Sequence, residues 1–209
     1  MLFRSRGVGS MRKAFVALIL LLTPLSVPAA GLDIGLSDDT ANIAVLLNPY
    51  DFRAGGGAEL GLGGFLNETG DNLLFASLMA HGVRKLPNQQ YNLGAGFKLV
   101  SGDIEISEDF QDGSGSSEDV GALALGFKAG YVIPSRQNPM EFLVEGFFAP
   151  NITSFSGAEN YTEFTARFQV EIIPQAITYI GFRRINFDTT DFNNVTLDNN
   201  VHVGFKLAF

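Results

Sequence analysis

The chain has 209 residues, of which 46% are hydrophobic and 17% are charged. This charged fraction is too high for a polytopic helical membrane protein and too low for a typical disordered chain, and the length favours one domain. The chain has no cysteine. Disulfide scaffolds, thiolate metal sites, cysteine catalysis and lipoprotein acylation are therefore excluded.

The beginning of the chain has the layout of a secretory signal peptide. A cationic stretch at residues 11–13 precedes an apolar run at 14–22, and small residues follow at 27–30. The apolar run is too short to cross a bilayer, which takes about 20 apolar residues. We therefore predict a cleaved signal over residues 1–29 and a mature domain over residues 30–209.

The mature domain is acidic. The predicted signal contains four basic residues and no acidic one, which leaves 10 basic against 22 acidic groups and a net charge of −12. Such a charge disfavours a nucleic-acid partner. Together with export, the absence of cysteine fits a protein of the bacterial envelope.

Most of the mature domain alternates apolar residues with polar or small ones, and no segment sustains the spacing of an amphipathic helix. Residues 162–172 place apolar side chains on one face and three charges on the other. The prolines of the mature domain fall in or beside turns between such runs, where a sheet tolerates them. We predict strands at residues 31–37, 40–47, 55–66, 73–83, 91–105, 119–132, 140–150, 160–173, 176–187 and 199–209.

Several features favour a membrane barrel over a soluble periplasmic β-sandwich that binds a ligand. Many runs exceed the roughly 9 to 11 tilted residues that span a bilayer. Small residues crowd the charged face, as a narrow barrel interior requires. The predicted fold is all-β, an antiparallel up-and-down transmembrane β-barrel of ten strands. The alternative is eight strands, with residues 31–47 as a short edge or plug.

The last strand alternates throughout and ends on an aromatic residue. Its apolar positions are Val201, Val203, Phe205, Leu207 and Phe209. This pattern resembles the C-terminal strand of bacterial outer-membrane barrels, whose terminal aromatic residue is recognised by the barrel-assembly machinery. The resemblance implies an outer-membrane location and that machinery as a partner.

The layout of the whole mature domain resembles the YfaZ family of small outer-membrane proteins. The start Gly-Leu-Asp-Ile-Gly-Leu at residues 31–36, the Asp-Asp-Thr at 38–40 and the glycine-rich stretch at 61–64 carry the resemblance, together with the signal peptide. The family implies a small barrel and brings no defined activity.

Charges on the predicted inner face have alternating sign on neighbouring strands. Antiparallel pairing places Lys128 close to Glu145, and Glu145 close to Glu163 and Arg167. Buried charges of this kind are retained only when they are paired. We predict a charge network that fills the lumen, formed by Lys128, Glu145, Glu163, Arg167, Glu171 and Lys206.

An even number of strands places both chain ends on the periplasmic side and the acidic segment 106–118 outside. Arg183 and Arg184 interrupt the alternation. If Arg184 points inward beside Glu163, Arg183 points outward, where it would bind lipopolysaccharide phosphate. A β-bulge that turns both inward is the alternative. Tyrosines are expected to form interfacial girdles, with Tyr91, Tyr131 and Tyr179 on the periplasmic side and Tyr161 on the outer side.

The sequence offers weak signals for chemistry. Ser77, His81 and Glu59 could form a hydrolase set, but a histidine that fills a polar lumen is the preferred interpretation. The acidic run at 105–119 lacks the spacing of a calcium loop. We predict no catalytic residue, no cofactor and no metal, and a structural, surface-interaction or narrow-channel role in contact with outer-membrane lipid. An outer-membrane lipid-modifying enzyme is the alternative function.

Overall fold

The computed structural model describes residues 30–50, 56–87, 89–106, 116–190, 192 and 194–209. The predicted signal peptide lies outside these residues, as does most of the acidic segment 106–118. In the described part of the chain, no helix is long and apolar enough to cross a membrane.

The described residues form eleven strands and one short 3₁₀ turn at Asn151–Thr153. The strands are β1 Ala30–Leu36, β2 Thr40–Leu47, β3 Gly56–Asn67, β4 Asn72–Leu86, β5 Gln89–Ile106, β6 Ser116–Ile133, β7 Met140–Ala149, β8 Ser154–Phe155, β9 Ala158–Ile173, β10 Ala176–Thr189 and β11 Val195–Ala208.

Ten of these strands close into an antiparallel barrel. The order around the wall is β5-β4-β3-β2-β1-β11-β10-β9-β7-β6, and the pairing of β5 with β6 completes the circle. The two-residue strand β8 pairs with β6 beyond the end of β7. The prediction of a ten-stranded barrel is confirmed.

The first hairpin belongs to the wall, so the eight-strand alternative is wrong. Strand β1 pairs with β11 over residues 31–36, and β2 pairs with β3 over residues 40–47. Without β1 and β2, the edges of β3 and β11 would lack partners, and unpaired strand edges are not tolerated in lipid. The structure also begins β11 at Val195, four residues before the predicted start.

The outer face is a belt of exposed apolar side chains, as the alternation predicted. On β9, Phe164 and Ile172 face outward while Glu163 and Glu171 are buried inside. On β11, the five predicted apolar positions all face outward, ending at Phe209 with 73% of its surface exposed. A barrel with apolar residues outside and charges inside has the polarity that a lipid environment demands.

Ala30, the first described residue, and Phe209 lie together at one end of the barrel. The backbone N–H of Ala30 donates to the carbonyl of Phe209 at 2.9 Å, and that of Phe209 donates to the carbonyl of Ala30 at 2.7 Å. The two-residue turn between β9 and β10 is at this same end. Short turns are characteristic of the periplasmic side, and we assign this end to the periplasm.

Candidate functional site

The interior of the barrel carries ion pairs in its central part. Lys128 on β6 lies 3.3 Å from the Glu145 carboxylate on β7, a pair that the sequence predicted. Glu59 on β3 contacts both Lys128 and Lys206. Its Oε1 lies 3.9 Å from Lys128 Nζ, and its Oε2 lies 2.8 Å from Lys206 Nζ. Two lysines and two glutamates from four strands therefore form one cluster.

Arg167 has a different partner from the one that the sequence suggested. Its Nη1 lies 3.2 Å from Oδ2 of Asp33 on β1. The Tyr179 hydroxyl donates to Oδ1 of the same aspartate at 2.6 Å, and the guanidinium lies 4.6 Å from the centre of the Tyr179 ring. Asp33 thus accepts hydrogen bonds from side chains of two strands, β9 and β10.

Glu163 binds Lys98 on β5. Lys98 Nζ lies 2.5 Å from Glu163 Oε2, which also accepts a hydrogen bond from the Tyr161 hydroxyl. The ammonium of Lys98 lies 4.3 Å from the centre of the Phe75 ring. The aromatic face stabilises this buried cation.

Arg183 points into the lumen, so the prediction that it faces lipid and binds lipopolysaccharide is wrong. Only 2% of its surface is exposed, its Nε lies 2.5 Å from Asp198 Oδ2, and its Nη2 donates to Thr40 Oγ1 at 3.2 Å. Arg184 is the exposed member of the pair. The alternation continues through both residues, and the irregularity of pairing falls after Ile185 instead.

Tyr50 lies buried inside the periplasmic end of the lumen. It follows β2 and is 3% exposed. Its backbone N–H donates to Glu59 Oε2 at 2.7 Å, and its hydroxyl lies 3.3 Å from Glu141 Oε1. Its ring meets the His81 ring edge to face at 5.0 Å. Tyr50 follows a proline between the predicted strands 40–47 and 55–66, in a segment with turn chemistry.

The remaining predicted member of the network, Glu171, is buried on the inner face near the same end. It lines a cavity of about 120 Å³ together with Tyr50, Ile177 and Lys206. The six predicted network residues therefore all face the interior. They do not form one continuous network: Lys128, Glu145 and Lys206 meet in the cluster around Glu59, whereas Glu163 and Arg167 bind elsewhere. The partners that the prediction lacked are Asp33, Glu59, Lys98, Tyr161 and Tyr179.

Above the charges, towards the extracellular end, the interior is apolar. Phe65, Ile104, Val120 and Phe187 have at most 1% of their surface exposed and belong to one packed cluster. The space left among the charges is a cavity of about 90 Å³. That volume holds a few water molecules.

The candidate hydrolase residues do not assemble. Ser77 and His81 are four residues apart on β4, which separates them by about 13 Å along a strand. Glu59 is engaged by Lys206, Lys128 and Tyr50. Nor do the described residues contain a group of three or more acidic or histidine side chains able to hold a metal ion.

Two of the four tyrosines are where the girdle prediction placed them. Tyr91 and Tyr131 are partly exposed on the outer face near the periplasmic end, with ring centres 5.5 Å apart. Tyr161 and Tyr179 are buried inside, so their assignment to the girdles is wrong. Both share the inward face of their strands with the charged residues, so alternation excludes them from the lipid surface.

The barrel, its apolar belt and its buried charges define an outer-membrane β-barrel protein. The family model described as YfaZ precursor matches residues 10–209, and the chain belongs to that family. A family of precursors is exported with a cleaved signal peptide, in keeping with the N-terminal pattern.

The similarity of this chain to individual proteins is weaker than its match to the family model. No curated protein matches the chain. Among solved structures, LpxR from Salmonella typhimurium matches with 7% identity and a TM-score of 0.41, covering 87% of this chain and 99% of LpxR.

The prediction that this protein is not an enzyme is corrected by that comparison. The matching barrel, LpxR, is itself an enzyme. The non-catalytic assignment is therefore withdrawn. At 7% identity and a TM-score of 0.41, the likeness transfers neither a substrate nor an active site to this chain.

Proposed function

We propose that this protein is a solute-tight outer-membrane barrel, whose filled lumen is a rigid scaffold and whose outer wall and rims carry its interactions. The observation that carries the proposal is the filling of the lumen at three successive levels. A narrow-channel role would require a continuous water path through all three.

The extracellular level is apolar. Phe65, Val120 and Phe187 pack with their neighbours in one buried apolar cluster. Apolar constrictions of this kind exclude water as well as ions.

The central level is charged but paired. Cations from β5, β6, β9, β10 and β11 each lie within 4 Å of a carboxylate. Removing one partner would leave a buried charge without its counter-ion, so these pairs favour one fixed arrangement of the strands. The cavity among them has a volume of about 90 Å³, which holds a few water molecules.

The periplasmic level is closed by Tyr50. Its two hydrogen bonds to carboxylates hold the ring over the lumen, where Val132 and Ile177 pack against it. A solute entering from the periplasm would have to displace this side chain first.

The surfaces left for interaction are the wall and the rims. Wide exposure of Leu74, Leu93 and Leu125 on the wall supports direct contact with lipid chains. Recognition by the barrel-assembly machinery through the C-terminal strand is part of the proposal, because all five of its apolar side chains face outward.

Liposome swelling tests the proposal. Vesicles that contain the purified barrel should swell in small sugars no faster than empty vesicles. Swelling at a rate that falls with sugar size would show an open pore and contradict the proposal. Gel mobility before and after boiling confirms that the protein in the vesicles is folded.

Chemistry on membrane lipid at the outer wall would be compatible with a closed lumen. Mass spectrometry of lipid A from a deletion strain and its parent tests for such an activity directly. A change in acylation that is restored by the wild-type chain would assign the activity to this protein.

A further inference from the structure

We propose that a groove on the outer wall, at the periplasmic end of β4 and β5, binds the headgroup of an anionic phospholipid from the periplasmic leaflet. Gly82, Val83, Arg84, Leu86, Tyr91 and Leu93 line this groove, which has a volume of about 570 Å³. The site is on the opposite side of the wall from the charged lumen and does not depend on whether the lumen conducts.

The floor of the groove is open because Gly82 has no side chain. A Cβ atom added at Gly82 would have no other atom within 4 Å, so the space above it is empty. Gly82 pairs with Leu93 on β5, and 65% of the Leu93 surface is exposed beside it. The glycerol backbone of a lipid would fit above Gly82, and the first part of an acyl chain would pack against Leu93.

Two unengaged donors stand at the mouth of the groove. Arg84 is exposed and forms no ion pair with the described residues of the chain. It lies directly opposite Tyr91 in the pairing of β4 with β5, and the Tyr91 hydroxyl has no hydrogen-bond partner within the described ranges. A guanidinium and a phenol side by side match the oxygens of a phosphodiester.

The level of the groove matches a headgroup layer. Tyr91 lies opposite Tyr131 on β6, which lies opposite Phe142 on β7, so an aromatic row continues around the wall from Arg84. Aromatic rows of this type lie where hydrocarbon meets water. The row is at the end where Ala30 and Phe209 meet, which we assign to the periplasm.

Charge favours an anionic lipid here. Of the described basic residues, Arg84 faces outward beside the aromatic row, whereas Lys98, Lys128, Arg167, Arg183 and Lys206 are committed to partners inside the barrel. An exposed cation at a membrane surface attracts anionic headgroups. Phosphatidylglycerol has the required phosphodiester, and phosphatidylcholine offsets the same phosphate with its own cation.

The experiment uses the mature barrel in nanodiscs of mixed phosphatidylcholine and phosphatidylglycerol, with native mass spectrometry to count the lipids that remain bound. Two variants address the groove: Arg84→Gln removes the charge, and Gly82→Leu fills the floor. Arg136→Gln is the matched control, because Arg136 is an exposed arginine in the periplasmic turn between β6 and β7, away from the groove. A gel-mobility shift on heating shows that each variant is folded.

The wild type should retain phosphatidylglycerol over phosphatidylcholine, and Arg84→Gln should lower this retention about fivefold, the effect of about one surface cation. Gly82→Leu should lower it as well, and Arg136→Gln should leave it unchanged. If all three variants lost phosphatidylglycerol retention equally, binding would depend on diffuse surface charge and the proposal would be overturned. Retention at the wild-type level in either groove variant would also overturn it.

Discussion

Arg167 on β9 and Asp33 on β1 are joined by an ion pair across the barrel interior, with Nη1 and Oδ2 3.2 Å apart. The two residues are 134 positions apart in the chain, so the pair can form only when the barrel has closed. The Tyr179 hydroxyl binds the other oxygen of Asp33 and fixes the carboxylate in place. The contact therefore connects the first strand of the barrel to its last third.

Replacing Arg167 by alanine should destabilise the barrel, because Asp33 would be left without its cation. The loss is expected to be about 3 to 5 kcal/mol for a dry site and less where water enters. The Arg167 side chain is 13% exposed, so we expect a destabilisation in the lower part of the range of about 3 to 5 kcal/mol. The temperature at which gel mobility shifts measures the effect. The double variant with Asp33→Ala should lose less than the sum of the single losses, and strict additivity would show that the pair is not coupled.

Arg183 and Arg184 form a matched pair for a second prediction. Arg183→Ala should destabilise the barrel by about 3 to 5 kcal/mol, since it leaves Asp198 buried without its partner. Arg184→Ala removes an exposed side chain and should change stability by less than about 0.5 kcal/mol. Equal effects of the two substitutions on the gel-mobility transition would contradict the inward orientation of Arg183.

The sequence was sufficient to predict the architecture. Alternation with period two assigns each side chain of a strand to the lipid or to the lumen, and the outward positions on β9 and β11 agree with it. The prediction failed at Arg183 and Arg184, because only one of two adjacent charges can face the lumen and the sequence had to indicate which. The choice was wrong because each face of β10 carries one arginine among apolar residues, so alternation alone does not distinguish the lipid side from the lumen side. Tyr179, Arg183 and Ile185 share the inner side.

The partners inside the lumen were harder to predict. Register between neighbouring strands follows from turn positions, and the Lys128–Glu145 pair was found in that way. Contacts across the barrel, such as Arg167 with Asp33, depend on strand tilt and on how the circle closes, which local sequence does not encode. Tyr50 was missed because it lies in a turn segment between two predicted strands, where alternation assigns no inner face, whereas its side chain folds back into the lumen.

The closure by Tyr50 predicts a change in access from the periplasmic side. Because the chain has no native cysteine, a single Ala44→Cys substitution on the inner face of β2 reports on access without background. The folded single variant should resist a polar thiol reagent, and the double variant with Tyr50→Ala should be labelled. Tyr50→Phe keeps the ring and should stay protected. Fast labelling of Ala44→Cys alone would show that Tyr50 does not close this end.

Changes at Phe209, at the end of the C-terminal strand, are expected to impair assembly of the barrel. Deleting Phe209, or replacing it by aspartate, should leave export intact but lower the amount inserted in the outer membrane. The substitution places a charge where an exposed aromatic side chain faces lipid, and it removes the proposed recognition feature. Membrane fractionation measures the effect, with Phe205→Leu as a conservative control. Wild-type levels of the Phe209 variants would remove the proposed role of the C-terminal residue.

The predicted processing site is open to a direct check. The mature protein should begin at Ala30 or Gly31, because the apolar run that precedes this point is too short to anchor the chain. Intact-mass measurement of the protein extracted from outer membranes identifies the N-terminus. A mass that retains residues 1–29 would contradict cleavage.

Single-channel recording in planar bilayers tests the filled lumen most directly. The purified wild-type barrel should give no steady conductance, because an apolar layer, paired charges and Tyr50 block the path in series. Large, stable currents from the wild type, with Arg167→Ala changing ion selectivity but not the gel-mobility transition, would show that these charges line an open pore and would contradict the account.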